Sequence, residues 1–180
     1  MAGNGRLDNP RRPGYKSQRY DIMKYTIDEP LQILFVCFAN MCRSPMAEAI
    51  IKKRLGEAVH AESAGIAAHG NAPSKEAVEL VQALYGADIS RHRPRNISEV
   101  DLSRFDFILA MDTSVFMRLQ EIESIPKDKL FAWEIEDPCG RGLEAYKLAA
   151  RKIERQLDQF LLNRDVESRF PPSSRPKIEQ

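Results

Sequence analysis

Apolar residues along this chain change their spacing several times, and each change marks an element. Ile33, Leu34, Phe35 and Val36 form an unbroken apolar run ending at Cys37, the pattern of a strand covered on both faces. The period then becomes helical. Ala47, Ile50, Ile51 and Leu55 fall on one stripe, with Ser44 suited to the N-cap, Pro45 to the first helical position and Gly56 to the stop. Val59, Ala61 and Ser63 alternate as a second strand that closes in Ser63-Ala64-Gly65. A second helix is predicted after Pro73-Ser74, with Ala77, Leu80, Val81 and Leu84 at helical spacing and Gly86 at its end.

A polar stretch containing Arg91, Arg93 and Arg95, read as solvated, leads into a short helix near Ile97 to Leu102. Phe105 to Met111 is a nearly continuous apolar third strand, after which Asp112 or Thr113 caps a helix with Phe116, Leu119 and Ile122 inward. Lys129 to Ile135 reads as the fourth strand. The last helix repeats Tyr146, Ala150, Ile153, Leu157 and Leu161, while Lys147, Arg151, Glu154, Arg155 and Asp158 face out. Strand and helix therefore alternate four times. That order predicts an α/β fold: a single doubly wound domain, with a four-stranded parallel sheet, helices on both faces and ligands at the strands' C-terminal ends. The domain is expected over residues 31–164. Residues 1–30 carry Gly, Pro and scattered basic side chains without a sustained apolar period and are expected to be a flexible extension; 165–180 are expected to be a disordered Pro-rich tail.

Composition narrows the function more than the fold. At 180 residues and 43% hydrophobic content, one domain with a sizeable core is expected. Lys and Arg number 27 against 26 for Asp and Glu, so no global field draws nucleic acid or an anionic membrane, and neither is expected as a partner. No run approaches the roughly 18 apolar residues of a membrane span, and the N-terminus lacks the apolar core of a signal peptide. Three cysteines, two of them at 37 and 42, do not make a disulfide framework and fit a reducing cytoplasm. Any anion site must be local.

Such a site is legible in Leu31 to Ile50, LQILFVCFANMCRSPMAEAI. Five residues separate Cys37 from Arg43, enough for the backbone to curl until its N–H groups converge, with the positive end of a helix behind them. Such a bowl binds a tetrahedral dianion. The same field favours a thiolate at its rim, which makes Cys37 a candidate nucleophile instead of an ordinary buried cysteine. Arg43 would grip two phosphate oxygens with its planar fork. Ser44 can cap the helix and donate to the sulfur, and Asn40 is a residue type that accepts a left-handed backbone.

Cys37-x5-Arg43-Ser44, the preceding strand and the wording VCFANMCRSPMAEA resemble the low-molecular-weight protein tyrosine phosphatase family over about Leu31 to Leu162. The resemblance implies phosphomonoester hydrolysis through a phosphocysteine, without cofactor or metal, on a phosphorylated protein or a small phosphomonoester. It places Phe38, Ala39, Asn40, Met41 and Cys42 in the phosphate loop, with Ser44, Ser63 and His92 supporting it. Asp137-Pro138 matches the family's acid, which protonates the leaving group and then activates water. Asp112 matches another family aspartate, although the N-cap of the following helix is the role adopted here. Cys42 matches a resolving thiol that forms a reversible disulfide with the nucleophile, and equally reads as a small core-facing residue.

Three departures stand out. Ala39 replaces a usual glycine, implying slight loop strain or an altered backbone approach, and His69 and Cys139 stand where aromatic walls are expected. Bulky Met41 sides with tyrosine-type enzymes over protein-arginine phosphatases, which carry a small threonine there. Arsenate reductases need a further cysteine pair, and no cysteine lies between 42 and 139. A degenerate domain that only binds phosphoproteins is the rival of another class, and retention of both nucleophile and acid argues against it.

Overall fold

The computed structural model describes residues 30–163; the expected extension, apart from Pro30, and the expected tail lie outside them. Four parallel strands, β1 (Leu31–Cys37), β2 (Val59–Gly65), β3 (Phe107–Ala110) and β4 (Leu130–Ala132), form one sheet in the order β2-β1-β3-β4. Four helices alternate with them: α1 (Arg43–Leu55), α2 (Lys75–Tyr85), α3 (Thr113–Gln120) and α4 (Gly142–Asn163). The expected doubly wound α/β domain is observed.

Central β1 explains why both layers exist. Its side chains alternate between two cores, Ile33 and Phe35 packing with α1, α2 and α4, and Leu34 and Val36 packing with α3 and the 97–105 segment. All four are fully buried, so the unbroken apolar run serves two faces at once. Tyr146, Ala150, Ile153 and Leu157 of α4 complete the first core.

Several boundaries differ from expectation. α1 begins at Arg43 with Cys42 as N-cap, so Ser44 is the second helical residue and Pro45 the third. Ser44 is not a cap. Its hydroxyl is buried in the loop's own bonding, and Pro45 costs nothing there because an N–H at that position has no intrahelical acceptor. Leu84 is exposed, lying off the face that buries Leu80 and Val81. The single short helix near 97–102 is two 3-10 turns, Ile97–Glu99 and Leu102–Arg104. β3 and β4 are shorter than their apolar runs: Phe105 is buried in the second core but pairing starts only at Phe107, and β4 pairs only as far as Ala132. Single bonds continue the line, from Trp133 N–H to Ala110 O (2.8 Å) and from Ile135 N–H to Met111 O (2.9 Å). That irregular exit brings 135–137 over the end of β1.

Candidate active site

The loop between β1 and α1 has its carbonyls pulled outward. Ile66 N–H donates to Cys37 O (3.0 Å), Ala67 N–H to Phe38 O (2.9 Å) and Ser74 N–H to Met41 O (2.9 Å). The Nε2 of His92 lies 3.2 Å from Asn40 O and 3.1 Å from Asn40 Oδ1; both are acceptors, so Nε2 carries the hydrogen. In a trans peptide the next N–H points opposite its carbonyl. The N–H groups of Phe38, Ala39, Met41 and Cys42 therefore face the concave side, joined by the free N-terminal amides of α1.

Asn40 makes the curl possible. It is the non-glycine residue with positive φ among those described, at 58°, and Ala39 is not in that region, so the expected strain at Ala39 does not arise. Asn40 N–H donates to Cys37 Sγ (3.2 Å). Its Nδ2 donates to Ser44 Oγ and to Ser63 Oγ, both at 3.0 Å, and its Oδ1 accepts from Arg95 N–H (3.0 Å). Ser63 passes its own hydrogen to Glu48 Oε2 (2.7 Å). With Asn40 donating to it, Ser44 Oγ is left to donate toward Cys37 Sγ at 3.0 Å or, more distantly, Ala64 O at 3.3 Å. Asn40, Ser44 and Ser63 are buried, so a chain of satisfied bonds fixes a hydroxyl against the sulfur.

Arg43 is 4% exposed. Its Nη1 donates to Asp112 Oδ2 (2.5 Å) and Ile135 O (3.1 Å), and its Nη2 to Asp137 Oδ2 (3.0 Å). Asp112 also accepts from Val115 N–H (2.8 Å), so it is both the expected cap and a site residue. Burial pushes the Asp112 carboxyl up, but hydrogen bonds from Ser114, Val115 and Arg43 outweigh it and hold the group below its ordinary value. Asp137 is half exposed. A cavity of about 540 Å³ opens over these groups, lined among others by Phe38, Arg43, Asp112, Glu134 and Asp137.

The remaining expected residues divide. His92 is half-buried against the loop, not a surface histidine. Cys42 Sγ lies 3.2 Å from Tyr146 Oη and 3.4 Å from Ser74 Oγ; burial pushes its thiol up. The two loop thiols thus have separate partners, and all three cysteines are free. Arg95 is not merely solvated, because its Nε donates to Ser63 O (3.0 Å) and its guanidinium pairs with Glu62. His69 is exposed and bonded to Ala67 O. Phe38 is 49% exposed and lines the cavity, placing a phenyl ring there, which neither His69 nor Cys139 provides.

Gly65, Glu48 and Glu62 escaped the sequence reading. A Cβ on Gly65 would meet Phe38 O at 2.6 Å, Ala39 C at 3.0 Å and Asn40 N at 3.0 Å; a glycine closing a strand is the signal for such a close approach.

A buried guanidinium and inward amides beside a sulfur that accepts from Asn40 N–H and lies 3.0 Å from Ser44 Oγ form a candidate oxyanion site at the C-terminal edge of a parallel sheet. The chain belongs to the low molecular weight phosphotyrosine protein phosphatase family, whose sequence model matches residues 32–169. Hydrolysis through a phosphocysteine without a metal is typical of that family. It is 34% identical over 135 residues to "Probable low molecular weight protein-tyrosine-phosphatase EpsP" of Ralstonia nicotianae, covering 72% of this chain and 92% of that one. The crystal structure of the low molecular weight protein tyrosine phosphatase from T. tengcongensis superposes with a TM-score of 0.68 at 39% identity, covering 74% of this chain and 99% of that one. A protein-arginine-phosphatase of Geobacillus stearothermophilus is 31% identical over 141 residues, covering 73% and 94%.

Proposed function

We propose that this protein is a cytoplasmic protein-tyrosine phosphatase in which Cys37 is the nucleophile, Arg43 the transition-state clamp and Asp137 the acid and base. The observation that carries the reading is the Arg43 fork: it links Asp137 at 3.0 Å to the loop in which Cys37 Sγ accepts from Asn40 N–H and faces Ser44 Oγ. Cys37 Sγ attacks phosphorus in line while the bond to the leaving oxygen breaks and Asp137 supplies that oxygen's proton. Water then attacks the phosphocysteine, giving its proton to the Asp137 carboxylate, and phosphate leaves as the thiolate is restored. Arg43 and the inward amides carry the charge spread over the three equatorial oxygens. A dianion takes over the Arg43 fork, freeing Asp137 to reach the leaving group.

Phe38 favours phosphotyrosine over phosphoarginine, since its exposed ring offers a face to an aryl group. A free-thiol nucleophile needs a reducing compartment, which supports the cytoplasm. In the same reading, once a peroxide has oxidised Cys37 to a sulfenic acid, the Cys42 thiol, after leaving Tyr146 and Ser74, attacks that sulfur and expels water to give a disulfide. Turnover of p-nitrophenyl phosphate, inhibited by vanadate and indifferent to a chelator, tests the reading. Cys37→Ser should abolish turnover while vanadate still binds, and Asp137→Ala should leave a slow burst of phosphoenzyme. Undiminished hydrolysis by Cys37→Ser refutes it, and faster cleavage of phosphoarginine than phosphotyrosine peptides overturns the substrate assignment.

A further inference from the structure

Beside the catalytic cavity lies a second groove of about 270 Å³ that no step of this reaction uses. One wall is the 136–141 loop and the other is the exposed face of α4, including Leu148, Arg151 and Arg155. Glu136, Asp137 and Lys152 line both cavities, so the groove opens from the catalytic pocket beside the acid.

The two cavities differ in charge. In the catalytic one Asp112, Glu134, Glu136 and Asp137 outnumber Arg43 and Lys152, so once the phosphate is seated a second anion is disfavoured there. In the groove the balance reverses. Glu136 is engaged by Lys152 Nζ at 2.9 Å and faces Arg141 Nη1 at 3.6 Å. Arg151 and Arg155, four residues apart on one helical face, are exposed and carry no ion pair among the described residues. Leu148 is 59% exposed beside them. Two exposed guanidinium groups, of which Arg151 feels only the more distant charge of Glu144, stand over a partly apolar floor and suit a carboxylate or a phosphate on a peptide.

We propose that this groove binds a second anionic side chain of the protein substrate, a carboxylate or a further phosphate near the residue being dephosphorylated. It thereby selects acidic or multiply phosphorylated segments. The proposal rests on the phosphatase reading above. It is tested by kcat/KM of the full chain and of the Arg151→Glu/Arg155→Glu variant on three phosphotyrosine peptides: one with neutral flanks, one with Asp and Glu flanks, and one with a second phosphotyrosine. Both substitutions are on exposed positions, and thermal unfolding checks that the variant folds. The natural protein should prefer the anionic peptides by about three- to tenfold at low salt, as two exposed charge pairs allow. That preference should fall with added salt and vanish or invert in the variant. The relative rates on the two anionic peptides separate carboxylate from phosphate as the recognised group. Turnover of p-nitrophenyl phosphate, too small to reach the groove, should stay within about twofold. Equal kcat/KM on all three peptides, or a preference that survives charge reversal, overturns the proposal. Failure of the natural protein to hydrolyse p-nitrophenyl phosphate overturns the phosphatase reading and the groove's role with it.

Discussion

Replacing Gly65 by alanine should cripple catalysis without unfolding the protein. The glycine closes β2 directly behind the phosphate loop, and an added Cβ would lie 2.6 Å from Phe38 O. Ordinary van der Waals contact begins near 3.4 Å, so the carbonyl must retreat by about 0.8 Å. That carbonyl sets the direction of the next N–H into the bowl, and Ala39 C and Asn40 N, each 3.0 Å from the same Cβ, would be pushed with it. Misplacing a reacting arrangement by about 1 Å costs about a hundredfold, and loss of one oxyanion donor costs about 10²–10³ in kcat. A fall in kcat of about a hundredfold on p-nitrophenyl phosphate is expected, with vanadate binding weakened in parallel. Stability should fall by only about 1–3 kcal/mol, the usual cost of overpacking. Gly56→Ala is the control: Gly56 has φ 57° but nothing within 4 Å of its Cβ, so it should lose stability and keep kcat. Retention of kcat within about threefold by Gly65→Ala would show that the loop tolerates displacement, and the account of inward amides would fail.

Asn40→Ala removes a left-handed residue and leaves Ser44, Ser63, His92 and Arg95 each short of a partner; stability should drop by about 2–4 kcal/mol in denaturant unfolding, and a loss below 1 kcal/mol would refute the network. Phe38→Ala should raise KM for a phosphotyrosine peptide by about three- to tenfold at constant kcat, while an alkyl phosphate is unaffected; equal effects on both would remove Phe38 from substrate recognition. For Glu62, burial pushes the carboxyl up, but hydrogen bonds from Arg95 and His60 and the charges of Arg95 and Arg104 bring it below the ordinary 4.5. Its stabilisation is therefore complete above pH 4.5 and disappears as pH falls through the folded value. Glu62→Gln should be less stable than the natural protein at neutral pH and converge with it in acid, and a constant gap at all pH values would contradict this.

How far the site could be read in advance depended on whether neighbours in sequence are neighbours in space. Cys37, Asn40, Arg43 and Ser44 lie in one loop and helix start, so their spacing alone implied a bowl. Asp137 is legible only through the Asp-Pro motif of the family that the Cys37 loop resembles, supported by its place after the fourth strand on the same sheet edge. The polar and basic flanks of Arg95 imply a solvated side chain; its partners Glu62 and Ser63 lie on β2, 33 and 32 residues earlier. Ser before Pro has a local preference for the N-cap, whereas the curl begun at Asn40 moves the helix start back to Arg43.

The order of elements, the two-faced burial of β1 and the chemistry of the Cys37 loop were determined by the sequence itself, since apolar period and short-range spacing are local properties. Only the tertiary structure decided what holds that loop in shape. The outward pull on its carbonyls comes from Ile66, Ala67, Ser74 and His92, and the contact that excludes a side chain comes from Gly65. These residues reach the loop through strand register and helix packing, which no window along the chain contains.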